Sequence, residues 1–476
     1  MRLRLVLGLS LALALIAVSL PTNASTAPKP GTKCPSAGLT KKINGLNFTC
    51  FKTGKKLLWS KGVKLKNPQI QQTPNSVATP TPTPSASPTS TISPEPTSPP
   101  KQQVIPTATD KSLFLSKSNC KLNQNYSNYF NTGFGFPRSN NRLKNSGNVR
   151  GLIVYVEFTD VQATDDPVTD SKSYLPDFIN FFKANSYGKL NFEVDVHPKY
   201  VKINKPSDSY KMDVWSSGDP RAYFRDGLAA ADPFVDFSPY EFVVFMPPTN
   251  ISKIIYGPSF VEPPFSLEGR TNEKTIFNGV MGGADQRTKP TRWIWLAHEI
   301  GHALGMEHQY SRDGEFVWDL MQNVYDFIAP EFLAWHRFLQ DWMSDSQIDC
   351  LNPNILSSQS TIHFVSPIQR NTQDVKAVIL KLSESEGLVI EARRKEGFDT
   401  LRSLTDLEGV LVYSVNVNKK SNENAINIVT TSQSRKASDY QGAGNIKEGE
   451  SRKFAGFEVE VLLEVADGYW VKLSKQ

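Results

Sequence analysis

His298-Glu299-Ile300-Gly301-His302-Ala303-Leu304-Gly305-Met306-Glu307-His308 is the stretch from which the rest of the chain can be read. At about 3.6 residues per turn, His298 and His302 fall one turn apart on the same face of a helix. Two imidazoles so placed share one ion, and zinc suits them best. Glu299 follows the first ligand. It is badly placed to be a ligand itself and well placed to hold a water, which makes it the candidate general base of a zinc hydrolase. Gly305 takes the left-handed conformation that ends a helix at low cost. The chain then turns back and His308 reaches the ion from below. Three protein ligands leave a fourth position for water, the pattern of a catalytic rather than a structural zinc. The chain has six histidines, and three of them lie in these eleven residues.

This HExxHxxGxxH pattern resembles that of the metzincins. The resemblance implies a methionine turn beneath the metal, and Met321 in Trp318-Asp319-Leu320-Met321 is its candidate, thirteen residues after His308. Some metzincins carry a tyrosine two residues beyond that methionine. Here the position is Asn323, and the nearest tyrosines are Tyr325 and Tyr310, so these three are the candidates for oxyanion or substrate contacts. Asn185-Ser186-Tyr187-Gly188-Lys189-Leu190, His298-Glu299 to Gly305, Trp318 to Met321 and Ala334-Trp335 together resemble the immune-inhibitor-A-like secreted metalloproteases of bacteria, over roughly residues 150–345. That family often has an acid where this chain has His308. The resemblance implies an α+β catalytic domain, a twisted sheet with an active-site helix, and peptide-bond hydrolysis.

Arg2 and Arg4 precede an apolar run, Leu5 to Leu20, followed by Thr22-Asn23-Ala24. That reads as a signal peptide over 1–24 with cleavage after Ala24, too short to be a membrane span. No second apolar span follows. The expected location is extracellular, with cell-wall association of the Gram-positive kind as an option. The net charge of +6 is uneven, because residues 25–66 hold ten lysines and no acid. By subtraction, residues 67–476 carry about −6. The basic excess therefore argues for no nucleic-acid partner at the catalytic part. It leaves an anionic cell-wall polymer as the candidate partner of the small basic module, against a merely solvated cap.

Export permits disulfides among Cys34, Cys50, Cys120 and Cys350. Three pairings are possible. Cys34–Cys50 with Cys120–Cys350 is preferred, because the linker separates the two sets. The alternative for Cys120 is a thiolate that ligates the zinc in a latent form.

Five regions follow. After the signal peptide, 25–66 is a basic module with an Asn44-Gly45 hairpin signal. It resembles short Cys-Cys-Trp modules on exported proteins of Gram-positive bacteria. The Pro/Thr/Ser-rich run 67–110 is an extended linker. Residues 111–355 form the catalytic domain. It has an apolar strand from Gly151 to Phe158, helices over Pro176 to Ala184 and 221–232, and a strand from Glu241 to Met246. Loops over 248–290 have room for a strand at the cleft rim. The zinc helix spans Thr291 to Ala303, and a further helix spans Pro330 to Met343. Residues 356–476 show recurring strand patterns and are expected to form an antiparallel β-sandwich. His197, His336 and His363 read as ordinary core or surface histidines. Asp160, Asp165 and Asp166 are a calcium candidate that does not rise above chance.

The chemistry expected is zinc-dependent hydrolysis of a polypeptide. Two competing readings are an adhesin-like binding protein with a vestigial site, and a zinc hydrolase of cell-wall peptide cross-links.

Overall fold

A computed structural model describes residues 29, 32–34, 40–43, 46–53, 56–59, 63–64, 104–125, 132–214, 217–262, 265–267, 270–272, 276–280, 292–308, 318–321, 331–401, 408–430 and 445–476. The expected signal peptide and most of the expected linker lie outside these residues. The chain divides into two compact units, Met1–Pro99 and Pro100–Gln476. No helix among the described residues is long and apolar enough to cross a membrane.

In the first unit, β1 (Thr40–Ile43) and β2 (Leu46–Thr53) pair antiparallel with Ile43 opposite Leu46, the hairpin that Asn44-Gly45 signals. β3 (Lys56–Trp59) and β4 (Val63–Lys64) both pair with β2. Cys34, Phe48 and Trp59 make its small core, and Cys34 is disulfide-bonded. The side chain of Cys50 lies outside the described residues.

The second unit is mixed α+β. Its first sheet holds β5 (Gly147–Glu157), β6 (Leu190–Val196), β7 (Val201–Lys202), β8 (Phe242–Met246), β9 (Ser259–Glu262) and β12 (Ile276–Val280), in the order β6-β5-β8-β12-β9 with β7 beside β5. β10 (Phe265–Leu267) and β11 (Arg270–Asn272) form a separate hairpin. All pairs in the main sheet are parallel except β12 with β9, so the edge strand runs against the rest.

β5 is apolar without alternation because both of its faces are covered. Ile153 and Tyr155 pack with helices α2 (Leu175–Asn185) and α4 (Trp293–Ala303), and the short helix α1 (Pro167–Ser171) precedes α2 in the chain. Leu152, Val154 and Val156 pack on the other side with Tyr223, Phe224 and Leu228 of α3 (Pro220–Ala231). Proline opens α1 and α3, and the side chains of Asp166 and Asp219 cap them through the backbone N–H groups of Thr169 and Ala222. Gly151 is required where it stands, since any Cβ there would collide with the Phe242 ring. The segment 248–290, read as loops with room for a strand, supplies β9 and β12 of this sheet and the hairpin of β10 and β11. Its Gly, Pro and Asn content hides short strands.

The expected helix from Pro330 to Met343 is shorter, α5 (Ala334–Leu339). The backbone N–H groups of Phe332, Leu333, Ala334 and Trp335 are taken by Asn185 Oδ1, Asp319 Oδ2, Glu391 Oε2 and the Tyr413 hydroxyl. Those side chains lie far away in sequence, so periodicity could not reveal them. Asp341, with φ of 56°, ends the segment in the left-handed region.

Beyond it come β13 (Ile348–Leu351), β14 (Thr361–Val365), β15 (Ala377–Lys381), β16 (Glu386–Arg393), β17 (Gly409–Asn416), β18 (Ile426–Ile428), β19 (Asn445–Ile446), β20 (Ser451–Phe454), β21 (Phe457–Val465) and β22 (Gly468–Lys475). They form a six-stranded sheet, β13-β15-β16-β17-β18 with β19 beside β17, and a four-stranded one, β14-β22-β21-β20. Val378, Leu388 and Ile390 of the first meet Val459, Val461 and Val471 of the second. The two sheets therefore share one apolar layer, as in a sandwich.

Two features differ from a simple antiparallel sandwich. β13 pairs parallel with β15, so this sheet begins before the boundary expected at 355. Its other face is also buried: Ile379, Val389, Leu411 and Tyr413 pack on Trp335 and Phe338 of α5 and on Cys120 and Cys350. The bond between Cys120 and Cys350 joins the start of the unit to β13 across 230 residues. Double replacement of both cysteines by serine should lower unfolding stability by about 2–5 kcal/mol, because so long a loop is released in the unfolded chain. Denaturant titration of oxidised wild type and variant checks this.

Candidate metal centre

α4 is buried along its whole length, so its polar residues are held rather than solvated. His298 is 4% exposed and His302 8%. Gly305, with φ of +94°, ends the helix. The Met306 N–H bonds to the Gly301 carbonyl and the Gly305 N–H to that of His302, the closure that glycine at this position allows. Arg138 and Gln340 donate to the Leu304 carbonyl, and Arg142 donates to that of His302, so the helix's last acceptors are used. The chain reverses here and brings His308 back over α4.

The three imidazoles converge. His308 Nε2 lies 3.2 Å from His298 Nε2 and 2.9 Å from His302 Nε2. Their candidate ligand atoms all lie within 4.8 Å of one another. Three nitrogens at about 2.0–2.1 Å from one tetrahedral ion would sit about 3.3 Å apart, close to what is found.

The outer nitrogens explain why the rings face inward. His298 Nδ1 is 2.9 Å from the Leu320 carbonyl and His302 Nδ1 is 2.8 Å from that of Met306. A carbonyl only accepts, so each Nδ1 carries the proton and each Nε2 presents a lone pair. Burial, reinforced by His308, pushes His298 down to about 3, and the same causes hold His302 well below the usual histidine range. Both rings are therefore neutral at pH 7, the state a metal ligand needs. Two neutral lone-pair nitrogens thus face His308 Nε2, which meets them as an N–H donor in one tautomer and offers a third donor atom to an ion in the other. The three-histidine group thus fits a metal ion by geometry, protonation and donor chemistry.

Glu299 is 5% exposed, and its Oε2 accepts the Ser259 N–H of β9 at 2.6 Å. Burial pushes its carboxyl up to about 8, against the pull of that N–H. Met321 lies under α4. A Cβ on Gly301, the residue before His302, would run into Met321 Sδ, so the glycine lets the methionine close in.

Several contributors were not legible in the sequence. Asp319, 1% exposed, accepts the Met321 N–H at 2.7 Å, the Leu333 N–H at 2.7 Å and His336 Nδ1 at 2.9 Å. It thereby shapes the turn whose Leu320 carbonyl orients His298. Arg393 of β16 donates to the Trp318 carbonyl at the start of that turn. Glu307 accepts from the His308 N–H at 2.9 Å and from the Thr132 hydroxyl, and Ser421 donates to the His308 carbonyl at 2.7 Å. The only sequence pointer to Asp319 is its place beside the candidate Met321 in Trp318-Asp319-Leu320-Met321. Nothing marked Thr132 or Ser421, which are distant in the chain.

Tyr310, Asn323 and Tyr325 lie outside the described residues. Cys120 is bonded to Cys350, which overturns the alternative of a thiolate switch at that residue. Asp160, Asp165 and Asp166 do not converge: they accept from Ser207, from the Tyr200 hydroxyl and from the Thr169 N–H. His336 pairs with Asp319, His363 lies between Asp349 and Thr361, and His197 bonds to the Lys199 carbonyl.

No family model matches the chain, and no curated protein sequence matches it. The structure defines a mixed α+β protein with a buried three-histidine group suited to a metal ion.

Asp319 generates a pH-dependent prediction. Burial works to raise its pKa, but the charge of His336 and the hydrogen bonds it accepts outweigh burial and hold it below the usual carboxylate range. A depressed folded-state pKa stabilises the fold above the unfolded value, near 3.9, and that contribution is lost as pH falls through the folded one. Asp319→Ala leaves His336 and two buried N–H groups without their acceptor and should cost about 3–5 kcal/mol at pH 7. Urea titrations should show the gap between wild type and variant closing below about pH 4.

Proposed function

We propose that this protein is a secreted zinc endopeptidase of the metzincin type, resembling the immune-inhibitor-A-like bacterial metalloproteases. The observation that carries the reading is the arrangement of the two helix histidines. Each gives its Nδ1 proton to a carbonyl and turns its Nε2 lone pair toward a third imidazole, 2.9–3.2 Å away. His298, His302 and His308 would hold the ion. Bound zinc supplies an acidified water and a Lewis acid for a carbonyl oxygen.

The chain's own groups do the rest. Glu299 sits one residue from the first ligand, shielded from solvent; the positive charge of a bound ion would offset the burial that raises its pKa and favour the carboxylate, which takes a proton from water and passes it to the departing amine nitrogen. Its hydrogen bond to Ser259 fixes the carboxylate in place. β9, the antiparallel edge of the sheet among the described residues, supports an extended polypeptide as substrate, because an edge strand binds any peptide through its main chain. The apparent signal peptide and the ten lysines of residues 25–66 support export and a hold on anionic cell-wall polymer. The lysine-rich module also favours a second reading, cleavage of peptide cross-links in the wall.

Metal analysis of the mature protein should find one zinc per chain, and a chelator should abolish cleavage of casein. Glu299→Gln should lower kcat by about 10²–10⁴-fold while keeping the zinc. His308→Ala should lose the zinc itself. A zinc-loaded protein that releases peptides from purified wall and leaves casein intact would favour the second reading. An active Glu299→Gln variant would sink the assignment of the base.

A further inference from the structure

Ser259 opens β9, and its position is unusual in two ways. Its N–H bonds to Glu299 Oε2 at 2.6 Å, so this residue stands directly beside the proposed base. Its hydroxyl is buried and has no hydrogen-bond partner among the described residues. Within one serine, N and Oγ are about 3–4 Å apart, which keeps the hydroxyl within roughly 7 Å of the base carboxylate. Buried hydroxyls in folded proteins are nearly always paired, and an orphan beside a reactive group calls for a partner that arrives with a ligand.

Strand geometry indicates which partner. Ser259 stands opposite Gly279 of β12, and among the described residues β9 has no strand on its other side. The Ser259 N–H reaches Glu299 on α4, so the residue borders both the helix that carries the ligands and the edge along which a peptide would lie. The N–H already serves Glu299. The hydroxyl remains for the peptide.

We propose that the Ser259 hydroxyl is a catalytic residue that donates a hydrogen bond to the carbonyl oxygen of the scissile peptide as negative charge builds there. The inference rests on the endopeptidase reading and adds the oxyanion donor to it. Only a hydrogen bond is made, and the serine proton stays on Oγ. A donor already held in a water-poor site stabilises developing charge without reorganisation, and loss of one such donor lowers turnover by about 10²–10³-fold.

The test uses the full-length, zinc-loaded chain and two peptide inhibitors of the same sequence. A phosphinic peptide places an anionic oxygen where the carbonyl oxygen would develop charge, and a thiol peptide places none. Ser259→Ala should weaken phosphinate binding by about 10–100-fold in calorimetry and leave thiol binding unchanged. It should lower kcat by about 10²-fold with little change in KM. Zinc content and melting temperature should stay at the wild-type level, because the hydroxyl has no partner among the described residues to lose. Ser259→Thr, which keeps the hydroxyl, should restore most of the phosphinate affinity. Equal phosphinate affinity in wild type and Ser259→Ala, with wild type active, overturns the assignment of Ser259 alone. A zinc-loaded wild type that cleaves no peptide overturns the endopeptidase reading and this assignment with it.

Discussion

The hydrogen bond from His298 Nδ1 to the Leu320 carbonyl is the contact on which the site depends. Helical spacing puts His298 and His302 on one face but leaves each ring free to rotate and to choose its tautomer. A carbonyl acceptor at one nitrogen removes both freedoms and commits the other nitrogen as a lone pair. For His302 that carbonyl comes from Met306, in the turn that Gly305 permits. For His298 it comes from a separate segment, Trp318 to Met321, which must be held in place by something else.

Asp319 and Arg393 do that holding. Asp319 closes the turn on Met321 and ties it to Leu333 and His336. Arg393 reaches from β16 to the Trp318 carbonyl and pairs with Glu391 and Asp399, all buried. Glu391 in turn accepts the Ala334 N–H, and Glu331 pairs with Arg337 at 2.5 Å. Burying this many charges is costly unless each is met, and here the groups meet one another and the backbone. The C-terminal sheet is therefore part of the support of the three-histidine group. The six-stranded sheet is buried on both faces for the same reason: one face packs on the four-stranded sheet, the other on the layer around Trp335 that carries the charged network.

The beginning of the unit has a comparable role at the opposite end of α4. Arg138, Arg142 and Leu143 satisfy its last carbonyls, and Thr132 holds the carboxylate of Glu307 next to His308. The third histidine thus lies in a short loop gripped by Thr132, some 170 positions earlier, and by Ser421, over a hundred positions later. Its approach to the other two rings is a product of the assembled unit.

Local rules were enough to read much of this protein. The spacing of His298, His302 and His308, the glycine at 305, the strand at Gly151 to Phe158, the helices near 176–184 and 221–232 and most C-terminal strands follow from periodicity and turn chemistry, which act over a few residues. The separation of Cys34 and Cys50 from Cys120 and Cys350 by a proline-rich run was enough to suggest the Cys120–Cys350 bond. What only the tertiary structure decided depends on groups far apart in the chain. Asn185, Glu391 and Tyr413 cap the segment before α5 and shorten a helix that apolar spacing extends to Met343. Asp319 orients a histidine through the carbonyl of Leu320, next to Met321, and Ser259 meets Glu299 across the sheet edge. Sequence spacing states which side chains share a face. Which carbonyl, carboxylate or hydroxyl stands opposite them is set by how separate strands and turns pack, and that packing alone turns three histidines toward one point.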